Sequence, residues 1–268
     1  MKSISLNIKD KEKVAIVGRT GSGKSSLLNA LLRIVEIDDD GGAMIVDGVN
    51  IRDIGLHRVR RAMAIIPQDP ILFTGSIRYN LDPLEECSDA DLWRALELAS
   101  LSSVVKTLEG GLDHPVAEGG ENFSAGQRQL MCVARALARK PRILLMDEAT
   151  ASVDVESDAI IQAMVRDQFK DCTVITIAHR LNTVIDYDRV LVLADGEIAE
   201  YDHPGALLSK PTGLFTGLVE ATGKSSSRRL KSLASQRYDE LNQQKQAQKE
   251  TKKKSEKKSE KKPKKKAK

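Results

Sequence analysis

Gly18-Arg19-Thr20-Gly21-Ser22-Gly23-Lys24-Ser25 fits the phosphate-binding pattern G-x-x-x-x-G-K-[ST]. Upstream lies the apolar run Val14-Ala15-Ile16-Val17; downstream, Ser26-Leu27-Leu28-Asn29-Ala30-Leu31-Leu32. The stretch therefore reads as strand, glycine turn and helix, the context that confirms the motif. Glycines let the backbone wrap close to phosphate oxygens, and the helix N-terminus adds partial positive charge there. In this pattern Lys24 reaches the β- and γ-phosphates and the Ser25 hydroxyl binds Mg²⁺.

Outward from the loop, the chain of 268 residues is 41% apolar and 30% charged, ordinary for a soluble protein of one large or two small domains. No apolar run approaches membrane-spanning length, and Met1-Lys2-Ser3-Ile4-Ser5 does not open a signal peptide. Cys87, Cys132 and Cys172 are odd in number and lack metal-like spacing. They read as reduced cytosolic thiols, or, for Cys132 and Cys172, as small buried apolar residues. The net charge of +4 conceals two unlike parts. Residues 224–268 hold 18 Lys or Arg against 5 Asp or Glu, and the remainder 24 against 33. A segment so polar cannot bury enough apolar surface to order itself, so 223–268 is expected to be a basic, disordered tail. Contact with anionic lipid or nucleic acid is the alternative to a merely solvated tail. Nucleic acid is disfavoured because Tyr238 is the one aromatic residue there.

Pattern along the chain alternates. Strands are expected at 3–8, 13–17, 62–66, 142–146 and 173–178, with helices at 24–35, 88–109 and 156–169. Hairpins are expected at Asp47-Gly48 and Asp195-Gly196, and helices close the domain near 222. Strands buried on both faces between helices indicate an α/β fold with a mostly parallel sheet. In Ile143-Leu144-Leu145-Met146-Asp147-Glu148, two carboxylates follow a buried strand at the end where ligands of such sheets collect. Asp147 suits Mg²⁺ and Glu148 suits activation of a water; in isolation such a pair is usually just a solvated turn, and the phosphate loop upstream favours the functional reading. In Phe123-Ser124-Ala125-Gly126-Gln127-Arg128-Gln129, Ser124 with Gln127 fits a capping box, followed by a helix with Leu130, Val133, Ala134 and Leu137 on one face.

Taken with the Asp-Glu strand that follows it, this stretch resembles the signature loop of an ATP-binding cassette (ABC) nucleotide-binding domain, usually Leu-Ser-Gly-Gly-Gln. Phe123 and Ala125 depart from that wording. By position, Gln68 resembles the family's Q-loop glutamine, Ala151-Ser152-Val153-Asp154 its D-loop, and His179 its switch histidine. A lone histidine after a strand, without this context, is more often structural. The resemblance covers residues 2 to about 222. Pro67 to Pro83, with Leu72-Phe73-Thr74-Gly75 and Asp82-Pro83, is similar to the second such domain of multidrug-resistance-associated (subfamily C) exporters.

The resemblance implies a P-loop ABC ATPase domain over 1–222, with a small antiparallel β subdomain and a helical subdomain at about 84–140. ATP would be held by Gly18, Arg19, Thr20, Gly21, Ser22, Gly23, Lys24, Ser25 and Ser26. The partner's nucleotide would be held by Ser124, Ala125, Gly126 and Gln127, with the amides of Ser124 and Gly126 on the γ-phosphate. Mg²⁺ would be held by Ser25, Gln68 and Asp147; Glu148, His179 and Gln68 would serve hydrolysis. The implied partners are a second nucleotide-binding domain, paired head to tail, and transmembrane domains that bind a small-molecule or conjugate substrate. The implied location is the cytoplasmic face of a membrane when assembled, and the cytoplasm for the chain alone. An adenine-stacking aromatic residue normally precedes the strand that opens here at residue 3. The sequence begins at Met1 without it, which implies a fragment that binds ATP weakly and has a β subdomain truncated at its N-terminus. Two other functions stay open: a soluble ABC ATPase acting on nucleic acid or ribosomes, and a truncated, non-catalytic nucleotide-binding module.

Overall fold

The computed structural model describes residues 4–37, 42–147, 155–178 and 180–260. In chain order the elements are β1 (Lys13–Val17), α1 (Lys24–Leu31), β2 (Ile45–Val46), β3 (Val49–Asn50), α2 (Leu56–Arg61), β4 (Met63–Ile66), β5 (Gly75–Ser76) and α3 (Ile77–Leu81). Then come α4 (Asp89–Leu98), α5 (Ser102–Thr107), β6 (Pro115–Val116), α6 (Ala125–Arg139), β7 (Ile143–Asp147), α7 (Val155–Gln168) and β8 (Thr173–Ile177). The chain continues through β9 (Arg189–Ala194), β10 (Glu197–Asp202), α8 (Pro204–Leu208), α9 (Leu214–Glu220) and α10 (Lys224–Glu260).

Six strands form the main sheet in the order β10-β9-β1-β8-β7-β4, parallel except for β10. The central strands are apolar at nearly every position because both faces are covered. Alternate residues feed different cores. Val14, Ile16, Leu145, Ile175, Ile177 and Leu191 point to one face, against Leu27 and Leu28 of α1. Across the sheet, Ala64, Ile66, Leu144, Met146 and Val174 meet α4, α6 and α7 through Leu92, Leu96, Met131, Val133, Ala134 and Ile161. Farther along that second face, Ala15, Val17, Val190 and Val192 meet Leu207, Phe215, Val219, Leu230 and Ala234. The helix after the glycine loop and the helix after Ser124 thus lie on opposite faces of one sheet.

Both expected hairpins form. Asp47 and Gly48 (φ 51° and 79°), like Asp195 and Gly196 (φ 53° and 81°), take the left-handed conformation of a tight two-residue turn. Residues 4–8 differ from the expected strand. Ile4, Leu6 and Ile8 do pack on the core, as their alternation suggests. Among the described residues, however, the Asn7 carbonyl is reached only by side chains, the Arg189 guanidinium at 2.7 Å and the Tyr201 hydroxyl at 3.0 Å. With no backbone partner, the alternation gives burial without a ladder.

The C-terminal segment also departs from expectation, since α10 is a helix where a disordered tail was expected from residue 223. Ser227, Leu230 and Ala234, spaced by three and four, are buried on α8 and α9. One turn on, the Tyr238 ring lies 5.0 Å from that of His203, the N-cap of α8. Gly205 makes the approach close: a Cβ there would stand 2.6 Å from the Tyr238 Cβ and 2.9 Å from the Ala234 carbonyl. Burying Leu230 contributes about 2 kcal/mol, enough to seat turns whose composition alone does not demand order. No helix among the described residues is long and apolar enough to cross a membrane.

Candidate nucleotide site

Gly18 leaves β1 at φ 154°, and a Cβ there would lie 2.3 Å from the Leu193 carbonyl and 2.7 Å from Ser22 Oγ. The end of β9 therefore presses on the loop where only glycine fits. Ser22 N donates to the Arg19 carbonyl at 3.1 Å, closing the turn, and Gly23 (φ 101°) caps α1 in the left-handed conformation. That cap offers no side-chain oxygen, and the first turn of α1 carries no acidic residue. The first amides of α1 are thus left for an outside anion.

Lys24 is 7% exposed, and its Nζ donates to the carbonyls of Gly18 (3.0 Å) and Arg19 (3.1 Å). An ammonium has three donors, so two fix its position and one remains for phosphate. Ser22 Oγ is buried without a partner among the described residues. Arg19, Thr20, Gly21, Ser25 and Ser26 are exposed around the loop. An uncapped helix start, an anchored ammonium and an unpaired hydroxyl fit a phosphate chain.

Sheet register places the metal candidates. Ile16 of β1 pairs with Ile177 of β8, and Ile177 with Asp147 of β7, so Asp147 stands in line with Ile16 two strands away, about 10 Å. Ile66 of β4 pairs with Met146, and exposed Gln68 follows two residues later at the same sheet edge. Ser25, Gln68 and Asp147 carry oxygen donors, which suit the hard cation Mg²⁺. Among the described residues no group of three His, Cys, Asp or Glu side chains could hold a metal ion. Glu148, His179 and Ala151 to Asp154 lie outside the described residues.

At the start of α6 the capping box forms in full: Gln127 N donates to Ser124 Oγ (3.1 Å), and Ser124 N to Gln127 Oε1 (2.9 Å). This corrects the expectation that the Ser124 amide faces the partner's nucleotide, because that amide is engaged within its own turn. The Ser124 hydroxyl proton and the Ala125 and Gly126 amides remain as donors. Ala125 is exposed at the tip, and Phe123 is buried beneath it at 6% exposure.

Two residues that the sequence reading did not single out tie α6 to the segment after β4. Gln129, 1% exposed, donates through Nε2 to the Pro67 carbonyl at 3.2 Å, and its Oε1 is buried without a partner among the described residues. Arg135 donates to the Asn80 carbonyl (2.6 Å) and Oδ1 (3.1 Å) and to the Ile71 carbonyl (3.3 Å), beneath the Phe73 ring. Burial lowers the Arg135 pKa from its ordinary value, yet guanidinium stays charged at any physiological pH. Gln129 falls on the buried face of an amphipathic helix, a position where a polar residue is itself a signal.

A glycine loop at the carboxyl edge of a mostly parallel sheet, running into an uncapped helix start, is the arrangement of a phosphate-loop nucleotide-binding domain. The family model described as ABC transporter matches residues 1–151, and the chain belongs to that family as its ATPase domain. It is 53% identical over 242 residues to "ABC transporter C family member 3" of Dictyostelium discoideum, covering 90% of this chain and 17% of that protein. Against "ATP-binding cassette sub-family C member 2" of Mus musculus the identity is 57% over 221 residues, 82% of this chain and 14% of that protein. The chain therefore spans less than a fifth of the length of these relatives, which are subfamily C transporters. Its fold is similar to that in "Structure of a bacterial Atm1-family ABC exporter with ATP bound" (TM-score 0.73, 34% identity, 80% of this chain and 37% of that one).

Proposed function

We propose that this chain binds Mg·ATP at Gly18 to Ser26 and hydrolyses it when paired head to tail with another nucleotide-binding domain, so powering export through transmembrane domains. The observation that carries the reading is the start of α1, uncapped and without acid, beside a lysine ammonium fixed on two loop carbonyls. The loop's amides and Lys24 hold the phosphates and orient the γ-phosphate. Bound Mg²⁺, held by Ser25, Gln68 and Asp147, would supply charge neutralisation at the phosphates. Glu148 orients the attacking water and takes its proton; Gln68 and His179 read the γ-phosphate.

The pairing is supported by the placement of α1 and α6 on opposite faces of the sheet. A nucleotide on the glycine loop of one copy can then be covered by Ser124 and Gly126 of the other. The substrate would be a small molecule or conjugate held by the transmembrane domains, as the subfamily C relatives suggest. The excess of Lys and Arg after residue 223 fits anionic lipid at the cytoplasmic face.

The test is Glu148→Gln in the assembled pair. ATP binding by calorimetry should persist while phosphate release falls by about 10²-fold or more. Turnover at the parent rate would remove Glu148 as the base. Absence of Mg·ATP binding by the parent chain at millimolar nucleotide would remove the site itself.

A further inference from the structure

Gln129 is a costly residue where it stands. Its carboxamide is almost wholly buried on α6, one end donating to Pro67 and the other accepting from no described residue. A single neutral hydrogen bond gains little net stability, while a buried carbonyl oxygen without a donor loses at least as much. An apolar side chain of the same size would serve the core as well. The two ends are not interchangeable, because a reversed amide would set Oε1 against the Pro67 carbonyl. What the residue secures is therefore position and not stability.

The position is informative. The Pro67 carbonyl and the Gln68 nitrogen share one planar peptide unit, so a hold on that carbonyl is also a hold on Gln68. Gln129 sits two residues beyond Gln127, the closing member of the Ser124 capping box. Along the same helix, Arg135 holds Ile71 and Asn80, and Asn80, 1% exposed, bonds the amide and the carbonyl of Phe73. The segment from Pro67 to Asn80 thus hangs on α6 through Gln129, Cys132 and Arg135, and Gln129 is the one beside Gln68.

We propose that Gln129 is a positioning residue that makes Gln68 and the Ser124 to Gln127 loop one mechanical unit. Occupation of this chain's own glycine loop is thereby transmitted to the loop it presents to its partner's nucleotide. The inference rests on the nucleotide site proposed above and adds the link between its two halves.

Hydrogen exchange on the full chain, with and without saturating Mg·ATP, tests it. In the parent protein, Mg·ATP slows exchange at 18–26, at 66–70 and also at 124–131, which its own nucleotide does not touch. In Gln129→Met the change at 124–131 disappears while those at 18–26 and 66–70 remain, with the melting temperature unchanged or raised. Gln129→Asn, one methylene too short to reach Pro67, repeats the result should the Met variant not fold. A merely structural role would speed exchange alike with and without nucleotide and leave the ATP-dependent difference intact. Persistence of the 124–131 change in the variants overturns the proposal, as does its absence from a parent protein that responds at 18–26. No response anywhere in the parent overturns the nucleotide site first.

Discussion

Two helix starts in this domain face phosphate in opposite ways. The start of α1 has a glycine cap, no acid and no side-chain bond to its amides, and a lysine anchored in the loop ahead of it. The start of α6 spends its cap on itself, with Ser124 and Gln127 bonded reciprocally. The first is poor as a helix terminus and good as an anion site. The second is a stable terminus with three donors to spare. A binding site and a closing lid need these different balances: the first must attract charge alone, the second only when a partner brings the charge to it.

Lys24→Ala strikes the comparison hardest. It removes the only cation anchored in the glycine loop, and Mg·ATP affinity in calorimetry should fall by about 10²-fold or more, since charge-assisted bonds to phosphate are the strong ones. Circular dichroism should remain that of a folded chain, because Lys24 packs on loop carbonyls and not on the core. Unchanged affinity would mean that the amides of α1 suffice, and the contrast between the two starts would be lost.

Ser26→Asp comes next and separates stability from function at one residue. Ser26 is exposed in the first turn of α1, where a carboxylate favours the helix dipole by about 0.3–1 kcal/mol. The same charge repels phosphate and should weaken Mg·ATP binding by about tenfold, or ~1.4 kcal/mol. Opposite signs in melting temperature and affinity are expected. If both rose together, the absence of acid from α1 would have no bearing on nucleotide.

How much of this was legible differs by region. The glycine loop, the two turns at Asp47-Gly48 and Asp195-Gly196, and the box at Ser124 could be read because each is local: a few residues fix their own geometry. The parallel sheet followed from apolar runs too uniform for a strand with one wet face. What could not be read depends on distant partners. Ile4, Leu6 and Ile8 alternate like a strand, but a ladder needs a second backbone, which no local pattern announces. Leu230, Ala234 and Tyr238 are few among charged residues, and they order α10 because Phe215, Val219 and the bare Gly205 wait for them. The role of Gln129 was hidden for the same reason, since Pro67 lies 62 positions away.

Ser124→Ala tests the other half of the comparison at lower amplitude. Loss of the cap should cost about 1 kcal/mol of stability, read as a drop in melting temperature. Mg·ATP affinity of the chain alone should move far less than in Lys24→Ala, because Ser124 serves the partner's nucleotide and reaches its own only through the coupling; turnover of the assembled pair should fall. A loss of affinity in the isolated chain as large as that of Lys24→Ala would place Ser124 at its own nucleotide and contradict the division between the two helix faces; a small loss is the reciprocal of the coupling through Gln129.

The smallest effect is expected from Ala125→Gly. Ala125 is exposed at the first position of α6, beside the Gly126 amide. Its methyl keeps a phosphate oxygen from approaching the backbone as closely as glycine would permit. The same methyl favours the helix, so its removal costs up to about 1 kcal/mol, less at a first turn than in a helix interior. The two consequences oppose each other and fall on different measurements. Melting temperature should drop slightly, Mg·ATP affinity of the chain alone should stay fixed, and phosphate release by the assembled pair should rise. A lower or unchanged rate with the expected small drop in stability would show that the methyl does not limit closure. The start of α6 would then be set by its capping box alone.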